Sequence, residues 1–254
     1  MERIGIIGVG EIAGAIVDGL CDGVEEAPEI HLSPRGARAA AELSERYESV
    51  QVCAGNQAVV DRSELVILAV RPRDRHEALD GLRVDGGRIV VNLMAGVGND
   101  ELRQALATDA PLVRAIPLPS VRERRCITVT YGSHPAADSL FERLGGVLPV
   151  ADEALFNVLS ALTGTVATQY WFLATISSWA TRHGIAAGDA DCYVRGLYQE
   201  VGRSLGDETR SLHQLAAGHE TPNGNNERVR TTWFDASNSE ALTRTLDALL
   251  ADLG

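Results

Sequence analysis

Val66-Ile67-Leu68-Ala69-Val70 is apolar at five successive positions. A strand that reads this way is covered on both faces, and such strands are typically parallel. It is one of eight short, mostly β-branched runs in the first 150 residues: Arg3–Ile7, Glu29–Ser33, Val50–Cys53, Leu65–Val70, Arg88–Leu93, Leu112–Ile116, Cys126–Tyr131 and Val147–Val150. Between the early runs lie helical patterns. Ala13, Ile16, Val17 and Leu20, for example, form one apolar stripe at i, i+3, i+4 and i+7. This alternation predicts an α/β domain with a doubly wound sheet. After Pro149 no strand pattern follows, and Asp152–Ala161, Thr165–His183, Asp189–Leu205, Glu208–Ala217 and Glu240–Leu253 read as helices. Gly164 and Gly184 are the breaks, and Asn223-Gly224 sits in a loop. The expected organisation is an α/β domain over 1–150 and an all-helical domain over 151–254. Within the latter, Tyr170, Trp171, Phe172, Leu173, Ile176 and Trp179 leave a helix apolar around much of its surface. Such a helix must be buried, here against a second subunit.

Composition excludes several functions. The net charge of -12 disfavours a polyanionic partner such as nucleic acid. All 23 basic residues are arginine, so any mechanism built on a lysine amine is closed. Cys21, Cys53, Cys126 and Cys192 lie far apart with no CxxC pair, as expected of reduced thiols in a cytoplasmic protein. The six histidines form no pair at metal-binding spacing, so no metal is expected. A strand pattern almost directly after Met1 argues against a secretory signal, and no run of about 18 apolar residues marks a membrane span.

The turn after the first run carries the chemistry. Gly8-x-Gly10-x-x-Ala13 follows a strand and opens an amphipathic helix, the setting of a dinucleotide fingerprint. Gly8 permits the turn, Gly10 admits a pyrophosphate, and Ala13 lets helix and strand pack closely. The first-turn N–H groups of Glu11, Ile12 and Ala13, with the helix dipole, attract the diphosphate. In NAD binders an acid about 20 residues on grips the ribose hydroxyls. Here the second run ends in Ser33-Pro34-Arg35, with Arg38 one turn later and no carboxylate at the strand end. A hydroxyl and two guanidiniums suit a 2′-phosphate, so the expected cofactor is NADP. Further cofactor contacts are expected from Asn56, which alternatively serves as a helix N-cap, and from Ala69-Val70-Arg71-Pro72 at the end of the fourth run.

Together these segments resemble the pyrroline-5-carboxylate reductase family. Gly8-Val9-Gly10-Glu11-Ile12-Ala13 is similar to its glycine-rich turn, and Ser33-Pro34-Arg35 stands where that family binds the NADP phosphate. Leu68-Ala69-Val70-Arg71-Pro72 is similar to its "LAVKP", with arginine for lysine, and Asn92-Leu93-Met94-Ala95-Gly96-Val97 to its "SIAAGV". Arg114-Ala115-Ile116-Pro117 follows its "RVMP", Ala161-Leu162-Thr163-Gly164 its "ALSG", and Thr221-Pro222-Asn223-Gly224-Asn225-Asn226 its "SPGGTT". The departures cluster elsewhere. Leu118-Pro119-Ser120 replaces "NTP", Thr165-Val166-Ala167-Thr168-Gln169 replaces "SGPAY", and Asn226 stands in place of the threonine that faces the substrate ring nitrogen in the family.

The resemblance implies a Rossmann-like doubly wound sheet followed by a helical dimerisation domain, and hence a homodimer or higher oligomer. It places Ala95 at the cofactor. It implies NADPH-dependent reduction of a small cyclic imine, with 1-pyrroline-5-carboxylate, reduced to proline, as the first candidate. Thr221, Asn226 and Glu227 are then the expected catalytic group. The loop N–H groups would hold a substrate carboxylate, the Asn226 amide oxygen would orient the imine nitrogen, and Glu227 would donate a proton if burial raised its pKa. The missing lysine excludes the carbonyl chemistry of β-hydroxyacid and short-chain dehydrogenases. Two alternatives stay open: reduction of a different C=N substrate, and a non-catalytic NADP-binding sensor.

Overall fold

The computed structural model describes residues 3–253, so Gly254 at the end of the expected helical domain lies outside the described residues. Two compact units divide the chain, one running to Ser160 and the other covering Ala161–Asp252.

In the first unit all eight runs form strands: β1 (Arg3–Ile7), β2 (Glu29–Leu32), β3 (Val50–Val52), β4 (Leu65–Leu68), β5 (Ile89–Asn92), β6 (Leu112–Ile116), β7 (Thr128–Tyr131) and β8 (Val147–Val150). Their order in one sheet is β3-β2-β1-β4-β5-β6-β7-β8, and every pairing is parallel except β6 with β7. Helices α1 (Glu11–Cys21), α2 (Ala37–Arg46), α3 (Asn56–Arg62), α4 (Arg75–Leu79), α5 (Asn99–Leu106) and α6 (Pro135–Arg143) fill the connections. This is the doubly wound, Rossmann-like sheet that the alternating pattern requires. Alternate residues of each strand feed two cores. Ile4, Ile6, Leu65 and Ile67 pack with α1 and α6, through Ile16, Leu20 and Phe141. Ile7, Val66 and Leu68 pack with α3 and α5, through Val59 and Leu102. That double coverage is why these strands carry no polar alternation.

Several strands stop short of their apolar runs. Ser33, Cys53, Ala69 and Val70 lie past the strand ends, in the loops at the carboxyl edge. The order reverses between β1 and β4, and ligands of open α/β sheets bind outside the strand ends at such a switch point.

A buried acid secures α1. Asp18 accepts hydrogen bonds from Arg46 Nη1 at 3.0 Å, Tyr47 OH at 2.9 Å and Arg122 Nε at 3.0 Å, while Arg124 Nε donates to the Gly19 carbonyl at 2.8 Å. The turn that follows β6 is thereby clasped to the helix behind the glycine-rich loop. Burial pushes the Cys21 and Cys53 thiols up and keeps them protonated.

Helix α7 (Glu153–Thr163) leaves the sheet, and the division between the units falls within it, past the expected position at 150. Its first turns are anchored to β6. The side chain of Arg114 is only 3 % exposed, and its guanidinium donates to Glu153 at 2.6 Å and to Asn157 at 3.2 Å while lying 4.4 Å from the Phe156 ring centre.

The second unit contains α8 (Thr165–Arg182), α9 (Ala187–Ser204), α10 (Leu212–Gly218), α11 (Asn225–Thr232) and α12 (Ala236–Leu253). Two helix starts differ from expectation by four residues. Helix α10 begins at Leu212 instead of Glu208 because Ser211 and Gln214 form a reciprocal capping box. Helix α12 begins four residues before Glu240 because the Asp235 carboxylate accepts the Asn238 N–H at 3.0 Å. Helix α11, expected after the Gly/Asn loop, has no helical pattern of its own, since its polar sequence has no apolar stripe. Tyr170, Trp171 and Trp179 of α8 are 69 %, 75 % and 57 % exposed. An open apolar groove of about 910 Å³ runs alongside, lined by Phe172, Leu173, Tyr198, Val201, Trp233 and Leu246 among others. Within it Phe172 stacks on Trp233 with ring centres 5.2 Å apart. Among the described residues no helix is long and apolar enough to cross a membrane.

The sheet core makes a direct stability prediction. Phe141 is fully buried where α6 closes the first core. Phe141→Ala should destabilise the first unit by about 3–5 kcal/mol, read as a lowered denaturant midpoint of unfolding.

Candidate active site

Four loops meet the carboxyl edge of the sheet around the β1–β4 switch. The first, after β1, is held by a conformation and a packing contact that both demand glycine. Gly8 has φ +94°, and a Cβ there would lie 2.7 Å from Val70 Cγ1 and 2.9 Å from the Ala69 backbone. Ala69 N–H in turn donates to the Ile7 carbonyl at 2.8 Å, so the ends of β1 and β4 are locked together. Gly10 precedes α1, no side chain caps the helix there, and a Cβ on Gly10 would meet nothing within 4 Å. The Glu11, Ile12 and Ala13 end of α1 therefore opens onto free space with the positive end of its dipole, while Ala13 itself is fully buried against the sheet. An uncapped helix start beside clear space fits a pyrophosphate.

The second loop, after β2, is bonded to the first. Ser33 is fully buried, and its hydroxyl accepts the Gly8 N–H at 2.9 Å. This corrects the expectation that Ser33 faces a phosphate: its hydroxyl shapes the glycine turn. Val9 N–H donates to the Arg35 carbonyl at 3.3 Å. Gly36, at φ +84°, lets the loop pass so close that a Cβ would sit 2.3 Å from the Val9 carbonyl oxygen. The Arg35 guanidinium pairs with Asp74 at 3.3 Å and Glu77 at 3.2 Å. Arg38, 93 % exposed along its side chain, is 3.8 Å from Glu42.

The third loop follows β4. Val70 is buried, Arg71 is exposed, and Pro72 opens the short 3-10 turn Pro72–Asp74 that leads into α4. The fourth follows β5. Buried Asn92 accepts the Met94 N–H at 2.9 Å and donates from Nδ2 to the Val97 carbonyl at 2.8 Å, which bends the chain so that Ala95 and Gly96 lie exposed at the tip. Asn56 stands apart from these contacts. Gly55 is the residue that precedes α3, and the Asn56 side chain donates to the Ala78 carbonyl at 2.9 Å. It ties α3 to α4 and is not an N-cap.

In the second unit, Thr221–Asn226 forms a tight turn into α11. Gly224 N–H donates to the Thr221 carbonyl at 2.8 Å, and no side chain caps the helix at Gly224. Asn226 is exposed, and its Nδ2 donates to the His219 carbonyl at 2.7 Å, which leaves its Oδ1 as the available acceptor. Glu227 differs from the expected proton donor. Its carboxylate accepts the Asn223 N–H at 2.6 Å, so it closes the turn as an acceptor. The Arg230 guanidinium beside Glu220 holds that carboxyl below the usual range and fixes the far side of the loop.

Residues 3–96, which span all four loops of the cradle, match the family described as NADP oxidoreductase, coenzyme F420-dependent. The pyrroline-5-carboxylate reductase of Corynebacterium melassecola is 25 % identical over 88 % of this chain and 87 % of its own length. The chain is thus similar to pyrroline-5-carboxylate reductases over most of its length. The 1-pyrroline-5-carboxylate reductase of Streptococcus pyogenes has the same fold, with a TM-score of 0.79 and 22 % identity over 98 % of both chains. A reductive aminase from Aspergillus terreus, solved with NADPH and ethyl levulinate, shares the fold more distantly, with a TM-score of 0.62 and 17 % identity over 81 % of this chain and 75 % of its own.

Against the motifs it resembles, the cradle is the part of this chain kept most fully, and Leu118–Ser120, Thr165–Gln169 and Asn226 are the parts most altered. Ser33 gives the cradle its first test. Ser33→Ala leaves the Gly8 N–H buried without its acceptor, at a cost of about 1–3 kcal/mol. Thermal unfolding should shift down. NADPH and NADH should weaken to the same extent, because the turn and not the phosphate contact is lost.

Proposed function

We propose that this protein reduces a small cyclic imino acid with NADPH, and that 1-pyrroline-5-carboxylate, giving proline, is its substrate. The observation that carries this is the uncapped, glycine-lined start of α1 beside Arg35, in a chain aligned with a pyrroline-5-carboxylate reductase over 88 % of its length. As an NADP-dependent oxidoreductase the chain takes NADP as its cofactor. The α1 N–H groups hold the diphosphate, and Arg35 with exposed Arg38 meets the 2′-phosphate. The bound nicotinamide supplies the hydride.

The protein's own part is orientation and charge. The N–H groups at the uncapped start of α11 receive the substrate carboxylate. Asn226 Oδ1 accepts a hydrogen bond from the protonated ring nitrogen and so stabilises the iminium that the hydride attacks. Thr221 is exposed at the start of the same turn and lines the substrate's approach. Glu227 keeps the turn closed. Water supplies the proton, which an imine nitrogen takes up far more readily than a carbonyl oxygen. An amide in place of a threonine hydroxyl also favours a second reading, in which the same chemistry serves a different C=N substrate.

Two measurements test the reaction. NADPH oxidation against a panel of cyclic imines should be fastest with pyrroline-5-carboxylate. Faster turnover of another imine establishes the second reading, and no turnover of any leaves a cofactor-binding sensor. Asn226→Ala should lower kcat/KM by roughly 10–1,000-fold with NADPH affinity unchanged; unchanged turnover would remove the turn from the site.

Arg35→Ala should weaken NADPH by about 1.5–3 kcal/mol and leave NADH nearly unaffected. Equal losses would contradict a phosphate contact. The exposed aromatic face of α8 belongs, on this account, to an interface with a second copy of the chain. Light scattering should show at least a dimer at micromolar concentration, and a stable monomer would refute that.

A further inference from the structure

Arg35 does not wait for a ligand with its charge free. Asp74 Oδ2 lies 3.3 Å from its Nη2 and Glu77 Oε2 lies 3.2 Å from its Nη1. The two carboxylates therefore occupy both terminal nitrogens, the same pair of donors that a bidentate phosphate contact uses. They come from a different part of the chain. The turn Pro72–Asp74 and helix α4 leave the end of β4 and bring both acids against the β2 loop. Neither acid is spent on a stronger partner. Glu77 is 80 % exposed along its side chain, and the other basic neighbour of Asp74, Arg73, is at 4.0 Å. Arg75 turns away to Glu101 at 2.9 Å.

We infer that Asp74 and Glu77 are specificity-determining residues that compete with the 2′-phosphate of NADPH for Arg35 and so restrain the preference for NADPH over NADH. The inference rests on the cofactor reading given above. A 2′-phosphate carries nearly two negative charges at neutral pH. To reach Arg35 it must displace two carboxylates and then remain near them. NADH offers only a hydroxyl at that position, which a carboxylate accepts without repulsion. The acid that NAD binders keep at the end of the second strand is absent here, and its charge is restored in space from the fourth. The pairs are partly exposed, so the restraint is modest: exposed ion pairs of this kind are weak and screened by salt.

The experiment is titration of NADPH and NADH into the intact protein for the natural sequence, Glu77→Gln, Asp74→Asn, the double variant and Arg35→Ala. Glu77→Gln lies on an exposed side chain and leaves folding intact, and thermal unfolding verifies this for Asp74→Asn. In the double variant the ratio of the NADH to the NADPH dissociation constant should rise roughly two- to tenfold through tighter NADPH binding, and Glu77→Gln alone should move it in the same direction. A ratio that is unchanged or falls overturns the inference, because the acids would then be neutral or would hold Arg35 ready for the phosphate. Arg35→Ala separates this from failure of the cofactor reading. If that variant weakens NADPH and NADH alike, no 2′-phosphate contact exists at Arg35 for the acids to oppose.

Discussion

The hydrogen bond from the Gly8 N–H to the buried Ser33 hydroxyl is the constraint around which the first unit is arranged. It fixes the turn after β1 to the turn after β2. Gly8 can make that turn only at positive φ, and with no Cβ it lets the Ala69–Val70 backbone close in from β4. Gly36 allows the reverse approach of the β2 loop onto Val9. Three strand ends thus meet, and the space at Gly10 before the α1 start is left clear. A phosphate site made of backbone N–H groups depends on that clearance more than on any single charged residue.

Electrostatics then act locally within an acidic protein. The net charge of -12 gives no general attraction for an anion such as NADPH. On the proposed reading, affinity comes from the dipole end of α1 and from arginines placed one at a time. With no lysine in the chain, each cationic contact is a planar guanidinium able to bind two oxygens. The same geometry lets a guanidinium be taken up by carboxylates of the protein itself. Asp18 gathers Arg46 and Arg122 to brace α1, Glu153 holds buried Arg114 under α7, and Asp74 with Glu77 engages Arg35. The first two build the scaffold, and the third stands at the edge proposed for the cofactor.

Local patterns in the sequence disclosed most of the fold. All eight strands were visible as short apolar or β-branched runs, continuously apolar only where both faces are covered, as in β4, and α1 because its stripe is regular. The glycine turn was legible because its role is a backbone property. What escaped depends on contacts between distant residues or on polar segments. Ser33 read as a phosphate ligand because its type and position fit, but nothing local shows that its hydroxyl turns inward to Gly8. Asn56 read as a cofactor contact or a helix N-cap, whereas its side chain bonds to Ala78 on another helix. Helix α11 has no apolar face, so only the Gly/Asn loop before it marked its start and nothing marked its length. Asp74 and Glu77 lie far from Arg35 in sequence, and only the crossover from β4 sets them beside it. The one available signal was their place just after Arg71-Pro72 at a strand end, where site residues collect.

A crystal structure of the protein with NADP+ bound tests the central claim most directly. The account predicts the pyrophosphate against the backbone N–H groups at the start of α1, and the 2′-phosphate within hydrogen-bond distance of an Arg35 guanidinium that has left Asp74 and Glu77. A cofactor lying elsewhere, or a 2′-phosphate in solvent with Arg35 still paired to both acids, would contradict it.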